Sequence, residues 1–385
     1  MTALVDRIFK RPPQKTDLLV PGIYHYQAPP DAAVPYRLHL RVEPDHTAVL
    51  VVNAATVVHL NASAAAHALL LIRGLSEQEA AAEIASRYRV SRRRALDDHE
   101  LLREQVVTLA TTPELDPVLS LGLDRQDPSA VRPSAPYRLD LALTYRIGEG
   151  DATDPLARRR VDRELTAEEW KTVLTCAWQV GIPHVTFTGG EPTLRPDLVE
   201  LIQAAEAQGQ VTGLLTDGCR LASGDLLDRL SQAGLDHLLI AVSDDPASLD
   251  GLKRAIASDI YTVAHWTLTP ENAADPDARL KAFREMGVSA VSLSASQASE
   301  AMTAAVSQAR NRVARLGMDL VWDLPAPYSA SNPINLELEA PSTGAGRAFL
   351  YVEPDGDVLP GQGIDRVLGN ILRDEWAAIW SAAAA

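Results

Sequence analysis

From residue 137 onward the chain alternates short apolar runs with stretches whose apolar residues repeat at helical spacing. The apolar runs predict strands at 139–145, 183–188, 211–216, 237–243, 261–268, 288–293 and 319–323. The stretches between them predict helices at 166–179, 196–208, 225–233, 277–286 and 300–316. Such βα alternation predicts a parallel sheet covered by helices, with about six units, too few for a closed eight-fold barrel.

The first hundred residues follow a different pattern. β-rich segments at 22–26, 36–42, 48–52 and 56–60 are separated by turn residues. Three helical stretches follow. We expect Asn61 or Ser63 to cap the first and Ser76 to cap the second, and the third to begin near Ser91. We therefore predict an α+β domain over residues 1–112. Residues 113–136 hold five prolines and are predicted to be an interdomain linker.

Composition narrows the classes of function. The chain has 385 residues and a formal net charge of −15, which argues against a nucleic-acid partner because phosphate binding requires a basic face. No basic-apolar leader opens the sequence and no apolar run is long enough to span a membrane, so we expect a cytoplasmic protein without membrane contact. The two cysteines, Cys176 and Cys219, are too few for a disulfide framework.

The most specific motif is Thr-Gly-Gly-Glu-Pro at 188–192, which continues as Thr-Leu-Arg-Pro-Asp-Leu to residue 198. Together with the strand at 139–146 it resembles the radical SAM superfamily. The resemblance implies a partial (β/α)6 TIM-like barrel over 137–324, with its site at the carboxyl ends of the strands. It also implies that S-adenosylmethionine would contact Gly189, Gly190, Glu191, Pro192, Thr216 and Ser243. Residues 267–269 on the fifth strand also occupy positions that resemble the superfamily's ribose- and adenine-side contacts.

The superfamily's three cluster cysteines would fall on Ile147, Asp151 and Asp154 in this chain. A [4Fe–4S] cluster needs thiolate ligands at that local spacing. We therefore expect no cluster, no metal and no other cofactor, with residual S-adenosylmethionine binding as the open alternative. We also expect the barrel mouth to be a weak or vacant pocket, in which Glu191→Ala would change stability little.

Both ends of the chain carry further resemblances. Residues 48–110 resemble PqqD-like winged-helix domains, in which a leader peptide adds as a strand to an exposed sheet edge. Residues 350–360 and 368–373, with Trp376 and Trp380 after them, resemble the SPASM/twitch-like extension of peptide-modifying relatives. We place that extension at 325–385, without the cluster cysteines.

These features predict a cluster-free radical SAM-like pseudoenzyme that recognises or scaffolds a peptide or protein partner through its first domain. The expected pathway is peptide or cofactor maturation, and an active modifying enzyme is a candidate second partner. Two alternatives remain open. The first is an enzyme that uses the barrel mouth for non-radical chemistry, and the second is a winged-helix regulator that binds DNA.

Overall fold

The computed structural model describes residues 18–29, 31–34, 36–53, 56–112, 133–148, 161–297, 299–321 and 344–384. The chain divides into two compact units, residues 1–125 and 126–385. Most of the predicted linker, 113–132, and part of the predicted carboxy-terminal extension, 325–343, lie outside the described residues. In the described part of the chain, no helix is both long enough and apolar enough to cross a bilayer.

The first unit is an antiparallel sheet followed by three helices. Its strands pair in chain order and are β1 (Gly22–Gln27), β2 (Arg37–Val42), β3 (Ala48–Val52) and β4 (Thr56–Leu60). The helices are α1 (Ala62–Ile72), α2 (Glu77–Arg87) and α3 (Arg92–Thr111). Asn61, of the two candidates Asn61 and Ser63, caps α1, and Ser76 caps α2 as predicted. Ser91, near which the third helix was expected to begin, accepts a hydrogen bond from the first turn of α3. The winged-helix assignment of this unit stays a prediction.

One face of this sheet packs against the helices. Leu38, Leu40 and Leu50 are at most 2% exposed and share a core with Leu69 and Leu70 of α1. These strand residues alternate with residues on the opposite face, as the period of two in a strand requires. On the opposite face of β2 and β3, His39, Arg41, Val49 and Val51 are also buried, so both faces of the two central strands are covered.

The second unit contains the parallel sheet. Its strands β5 to β11 neighbour one another in chain order and lie at Arg138–Thr144, His184–Gly189, Val211–Thr216, His237–Ala241, Tyr261–Leu268, Ala290–Ala295 and Asp319–Leu320. The helices α4 to α9 between them lie at Ala167–Gln179, Leu198–Gln208, Leu226–Gln232, Pro246–Ile256, Pro276–Glu285 and Glu300–Arg315. This mixed α/β architecture fits a partial TIM-like barrel.

The carboxy-terminal segment extends the same sheet. Strand β12 (Phe349–Val352) pairs in parallel with β5, and β13 (Asp357–Leu359) and β14 (Gly369–Asn370) add in antiparallel order. Helix α10 (Trp376–Ala382) follows. The phenol of Tyr145 donates a 2.9 Å hydrogen bond to buried Glu353, so the end of β5 is joined to the turn after β12.

The two faces of the parallel sheet carry different side chains. Leu139, Phe187 and Leu214 belong to the large core shared with the helices. On the opposite face Leu215, Leu239, Val263 and Ala290 form a separate apolar cluster from four neighbouring strands. Polar residues at the carboxyl ends of these strands therefore lie above an apolar layer.

Candidate functional site

The turn after β6 is fastened to the end of β5. The N–H groups of Gly190 and Glu191 each donate a 2.7 Å hydrogen bond, to the carbonyls of Thr144 and Arg146 respectively. A Cβ on Gly189, where φ is +117°, would lie 2.1 Å from the Thr144 oxygen, and one on Gly190 would lie 2.1 Å from the Arg146 oxygen. The sequence predicts two glycines that let a ligand approach. In the structure they let the backbone at the end of β5 approach.

Glu191 lies at the centre of a buried hydrogen-bond network. Its Oε1 accepts from the Thr193 N–H at 2.9 Å, from the Thr193 hydroxyl, and from the Thr216 hydroxyl at 2.8 Å. Its Oε2 accepts from the Asp217 N–H at 2.7 Å. The side chain is 4% exposed. The predicted site residues Glu191 and Thr216 are thus brought together, and their contact joins the turns after β6 and β7.

The environment of Glu191 disfavours its charge. Burial, and then the neighbouring Asp217 carboxylate, raise the pKa of Glu191 to about 7, although its hydrogen bonds act in the opposite direction. Burial and the same Asp217 raise the pKa of Cys219 to about 12. The mouth therefore holds a carboxyl group that takes up or releases a proton near neutral pH and a thiol that stays protonated.

This network corrects the expectation that Glu191→Ala changes stability little. Removing the carboxylate leaves the buried N–H of Thr193 and the N–H of Asp217 without the acceptor they use. An unsatisfied buried donor costs about 1–3 kcal/mol. Glu191 is therefore a structural residue of the mouth whether or not it also contacts a ligand.

Pro192 opens a single 3-10 turn, Pro192–Leu194, that leads into Arg195. The Arg195 guanidinium is 8% exposed and donates to the carbonyls of Leu143 and Leu165, each at 3.1 Å. It also pairs with Asp197 at 2.6 Å. The motif thus fixes its own position against the end of β5, through an arginine to which the sequence assigned no role.

Ser243 is joined to the Glu191 network through Ser248. The Ser243 N–H donates to the Ser248 hydroxyl at 3.2 Å, and that hydroxyl donates to the Asp217 carbonyl at 2.7 Å. Ser243 is exposed, two residues beyond the end of β8, and its hydroxyl accepts from the Asp245 N–H at 3.2 Å. Its carbonyl accepts from Arg279 at 2.8 Å. Of the three predicted cluster positions, Ile147 is 38% exposed and follows β5. Asp151 and Asp154 lie outside the described residues.

A second polar group lies at the mouth, and only its Thr267 was predicted from the resemblance as a ligand contact. His265 on β9 contacts Ser292 and Ser294 on β10 through its two ring nitrogens, at 3.1 and 3.0 Å. The sequence predicts His265 to be a satisfied core or rim histidine, and it is satisfied. The signal that was missed is the alternation of polar residues on neighbouring strands, His265 and Thr267 beside Ser292 and Ser294.

Residues 145–266 match the model of the radical SAM superfamily. The PqqA peptide cyclase of Rhizobium meliloti is 29% identical over 295 residues, which are 66% of this chain and 73% of that protein. The PqqA peptide cyclase of Gluconobacter oxydans is 30% identical over 263 residues, which are 59% of this chain and 70% of that protein. The chain belongs to the radical SAM superfamily.

Solved structures agree on the fold. SuiB of Streptococcus suis superposes with a TM-score of 0.55 at 14% identity, over 89% of this chain and 86% of that one. The same protein bound to its precursor peptide SuiA gives 0.57 at 13% identity, with the same coverage. At this identity the likeness shows the fold alone.

Membership of the superfamily corrects the prediction that the chain has no cofactor and no [4Fe–4S] cluster. Its members normally use that cluster with S-adenosylmethionine, the PqqA peptide cyclases are active enzymes, and SuiB has been solved with S-adenosylmethionine bound. The described residues include no group of three or more His, Cys, Asp or Glu side chains placed to hold a metal ion. Cys176 lies on α4, and Cys219 lies in the turn after β7.

Proposed function

We propose that this chain takes part in peptide maturation and that its first unit captures the peptide as an added strand along β4. The PqqA peptide cyclases and the SuiB structure with a precursor peptide support a peptide as the partner class. Recognising and presenting the peptide is the part of maturation that we assign to this chain. A modifying enzyme is a second partner in this proposal.

The observation that carries the proposal is the direction of the backbone groups on β4. Across the β2–β3 pair, the backbone N–H of Asn53 donates to the Arg37 carbonyl and that of Glu43 donates to the Thr47 carbonyl. Hydrogen-bonded pairs alternate along an antiparallel ladder, so the backbone groups of residues 49 and 51 on β3 point toward β2. The alternate residues 48, 50 and 52 therefore point toward β4 and bond to 60, 58 and 56. The backbone N–H and C=O groups of Val57 and His59 consequently point away from β3, outward from the edge of the sheet.

Strand addition requires such an edge. In the sheet of the described residues, β4 pairs with β3 alone, and the Val57 side chain is 37% exposed. The outward N–H and C=O groups of Val57 and His59 provide four hydrogen-bonding groups for an incoming strand. Each such hydrogen bond contributes about 0.5–1.5 kcal/mol net to binding. Useful affinity for a peptide therefore also requires contacts between its side chains and pockets of the protein.

Proline substitution tests this edge directly. Val57→Pro removes an outward N–H and leaves the β3–β4 bonds in place, as proline on an edge strand does. We expect peptides selected on the full-length chain from a random display library to bind Val57→Pro about tenfold more weakly. Val57→Thr, which keeps the N–H, should bind as the wild type does.

The opposite edge supplies the matched control. Ile23 on β1 has its backbone N–H directed away from β2, because the bond from Ala28 to Tyr36 sets the alternation of that pair. Ile23→Pro should leave peptide affinity unchanged. Equal losses in Ile23→Pro and Val57→Pro, or no loss in either, would refute capture along β4.

We also propose that S-adenosylmethionine binds at the barrel mouth beside Gly189, Gly190, Glu191, Pro192, Thr216 and Ser243. The carboxylate of Glu191 fits the ammonium of a methionine group, because Oε2 accepts one hydrogen bond and has a lone pair left for another donor. S-adenosylmethionine, when bound, would supply the superfamily's cofactor chemistry. The protein's own part is to hold the amino-acid end with an ionised Glu191.

The protonation of Glu191 gives the test. Since its pKa is raised to about 7, the carboxylate that holds an ammonium forms as the pH rises through neutrality. Calorimetry with S-adenosylhomocysteine, which carries the same ammonium, should show tighter binding at pH 8 than at pH 6. Glu191→Gln should remove this dependence on pH. A wild-type affinity that does not change with pH would exclude Glu191 as the acceptor.

A further inference from the structure

An uncharged polar cluster lies at the carboxyl ends of β9 and β10. We define it as His265, Thr267, Ser292 and Ser294. The His265 ring lies between Ser292, 3.1 Å from Nδ1, and Ser294, 3.0 Å from Nε2. The Thr267 hydroxyl lies 3.3 Å from Nε2 and 3.1 Å from the Ser294 hydroxyl. These four side chains therefore form one connected network across two strands.

The register of the sheet places this cluster in the mouth. Thr216 pairs with Ile240, and the next residue of β8, Ala241, pairs with His265. His265 thus lies one residue beyond the level of Thr216 along the strands. Its side chain is on the face of Leu215 and Val263, whereas Thr216, next to Leu215, belongs to the opposite face. Val263 and Ala290, two residues before His265 and Ser292, belong to the apolar cluster on the same face. The arrangement has the composition of a binding site, with a few polar groups above an apolar floor.

The cluster is buried on one side and reachable on the other. His265 is 3% exposed and Ser292 is 6% exposed. Thr267 and Ser294, which pair across the strands, are only half-buried. A ligand would therefore meet the two hydroxyl groups first, with the imidazole behind them fixing their orientation.

The cluster carries no charge near neutral pH. Burial alone lowers the pKa of His265 to about 4, and no charged group adds to or opposes that effect. A general base works best with a pKa near the operating pH. The neutral and weakly basic His265 is therefore suited to hydrogen bonding rather than to activating Ser294 as a nucleophile.

The tautomer of His265 decides what the cluster offers. With the proton on Nδ1, Ser294 can donate to Nε2 and Thr267 can donate to Ser294, so that only acceptor lone pairs face outward. With the proton on Nε2, that nitrogen donates to Ser294, Ser294 donates to Thr267, and the Thr267 hydroxyl hydrogen becomes free. The same residues therefore match either a donor or an acceptor, provided that the ligand group is uncharged.

We propose that His265, Thr267 and Ser294 form a subsite that binds an uncharged amide or hydroxyl group of the peptide at the barrel mouth. The proposal rests on the proposed function only in taking a peptide as the substrate. Capture along β4 takes place on the other unit of the chain, so the two proposals can fail separately. A charged group would have to give up water here without meeting an opposite charge in the cluster.

Nitrogen NMR of the histidine rings in the full-length chain tests the subsite. The neutral probe is N-acetylserine methylamide at millimolar concentration, and the charged probes of similar size are the corresponding aspartate and lysine derivatives. We expect the neutral probe to shift the two ring-nitrogen signals of His265, identified with His265→Gln, and to leave those of His237 unchanged. His237 is in contact with His184 at the other end of its strand and serves as the internal control.

Ser294→Ala should abolish the response, since it removes the partner of Nε2 and half of the reachable hydroxyl pair. Adenosine is included because its ribose carries neutral hydroxyl groups without a peptide amide. A response to adenosine but not to the serine probe would overturn the peptide assignment. Equal responses to charged and neutral probes, or none to any probe, would overturn the subsite.

Discussion

Glu191 accepts the backbone N–H of Asp217 at 2.7 Å, and through this bond the turn after β6 is held to the turn after β7. The motif that identifies the superfamily in the sequence therefore also joins two neighbouring turns at the mouth of the barrel. A side chain that a ligand would contact is already part of the protein's own hydrogen bonding. The stability of the fold and the chemistry of the mouth are consequently linked at this residue.

The first prediction concerns that link. We expect Glu191→Ala to lower the free energy of unfolding by about 2–4 kcal/mol, because two N–H donors lose their acceptor. Chemical denaturation of the full-length chain measures this. Glu200→Ala is the matched control, since Glu200 is 54% exposed and pairs only with Lys171 among the contacts described. Equal stability of the two variants would contradict the role given to Glu191.

The same carboxyl group makes stability depend on pH. The folded pKa of Glu191 is about 7, above its ordinary value of 4.5, so the folded state binds more protons than the unfolded state between these values. Its contribution to stability is then largest at low pH and falls as the pH rises from about 5 to 8. The free energy of unfolding of the wild type, taken relative to that of Glu191→Gln, should fall as the pH rises over this range. A constant difference would count against the raised pKa.

The glycines of the turn give a steric prediction. Gly189→Ala would place a methyl group 2.1 Å from the Thr144 carbonyl oxygen, in a part of the backbone that cannot move without breaking the β5–β6 contact. We expect a loss of more than about 3 kcal/mol or failure to fold. Gly224 also has a positive φ, +72°, but has open space around it, so Gly224→Ala should cost only about 1–2 kcal/mol. Similar melting temperatures for the two variants would show that the close approach is not required.

Two histidines predict acid sensitivity in the first unit. His67 on α1 and His99 on α3 are buried, with their Nδ1 atoms 3.3 Å apart. Burial lowers the pKa of both, and for His99 the nearby His67 and Arg103 add to this effect while Glu77 opposes it; Asp98 opposes it for His67. Because the folded pKa values lie below those of the unfolded chain, stability should fall as the pH drops below about 6.5.

Replacing one histidine of the pair checks this assignment. His67→Asn keeps a polar group on α1 but removes one titrating ring. Its unfolding free energy should fall less between pH 7 and pH 5 than that of the wild type. Circular dichroism of denaturation at each pH makes the comparison, and parallel curves would remove the pair as the cause.

The alternation of strands and helices was predictable because each element of an α/β sheet carries its own periodicity. Helix α7, Pro246–Ile256, was not among the predicted helices, and its interior Gly251 explains why. Glycine disfavours a helix locally. In the structure a Cβ at Gly251 would lie 2.0 Å from the Gly218 carbonyl oxygen, so tertiary packing requires the residue that local propensity opposes.

The site was predictable only in part. The motif at 188–192 identified the mouth, but hydrogen bonds such as that from Asp217 to Glu191 join residues 26 positions apart and depend on strand order. The pairing of β12 with β5 was not predicted either, since the pattern of a hairpin does not say which strand it will join.

Amide hydrogen exchange on the full-length chain, with and without a peptide selected from the display library, tests peptide capture along β4 most directly. The outward N–H groups of Val57 and His59 should exchange freely without peptide and slow markedly when it binds. The inward N–H of Val58, already bonded within the β3–β4 pair, should change much less. Protection of Val57 and His59 is the result that the proposal predicts. Peptide binding that leaves both amides unprotected would contradict it.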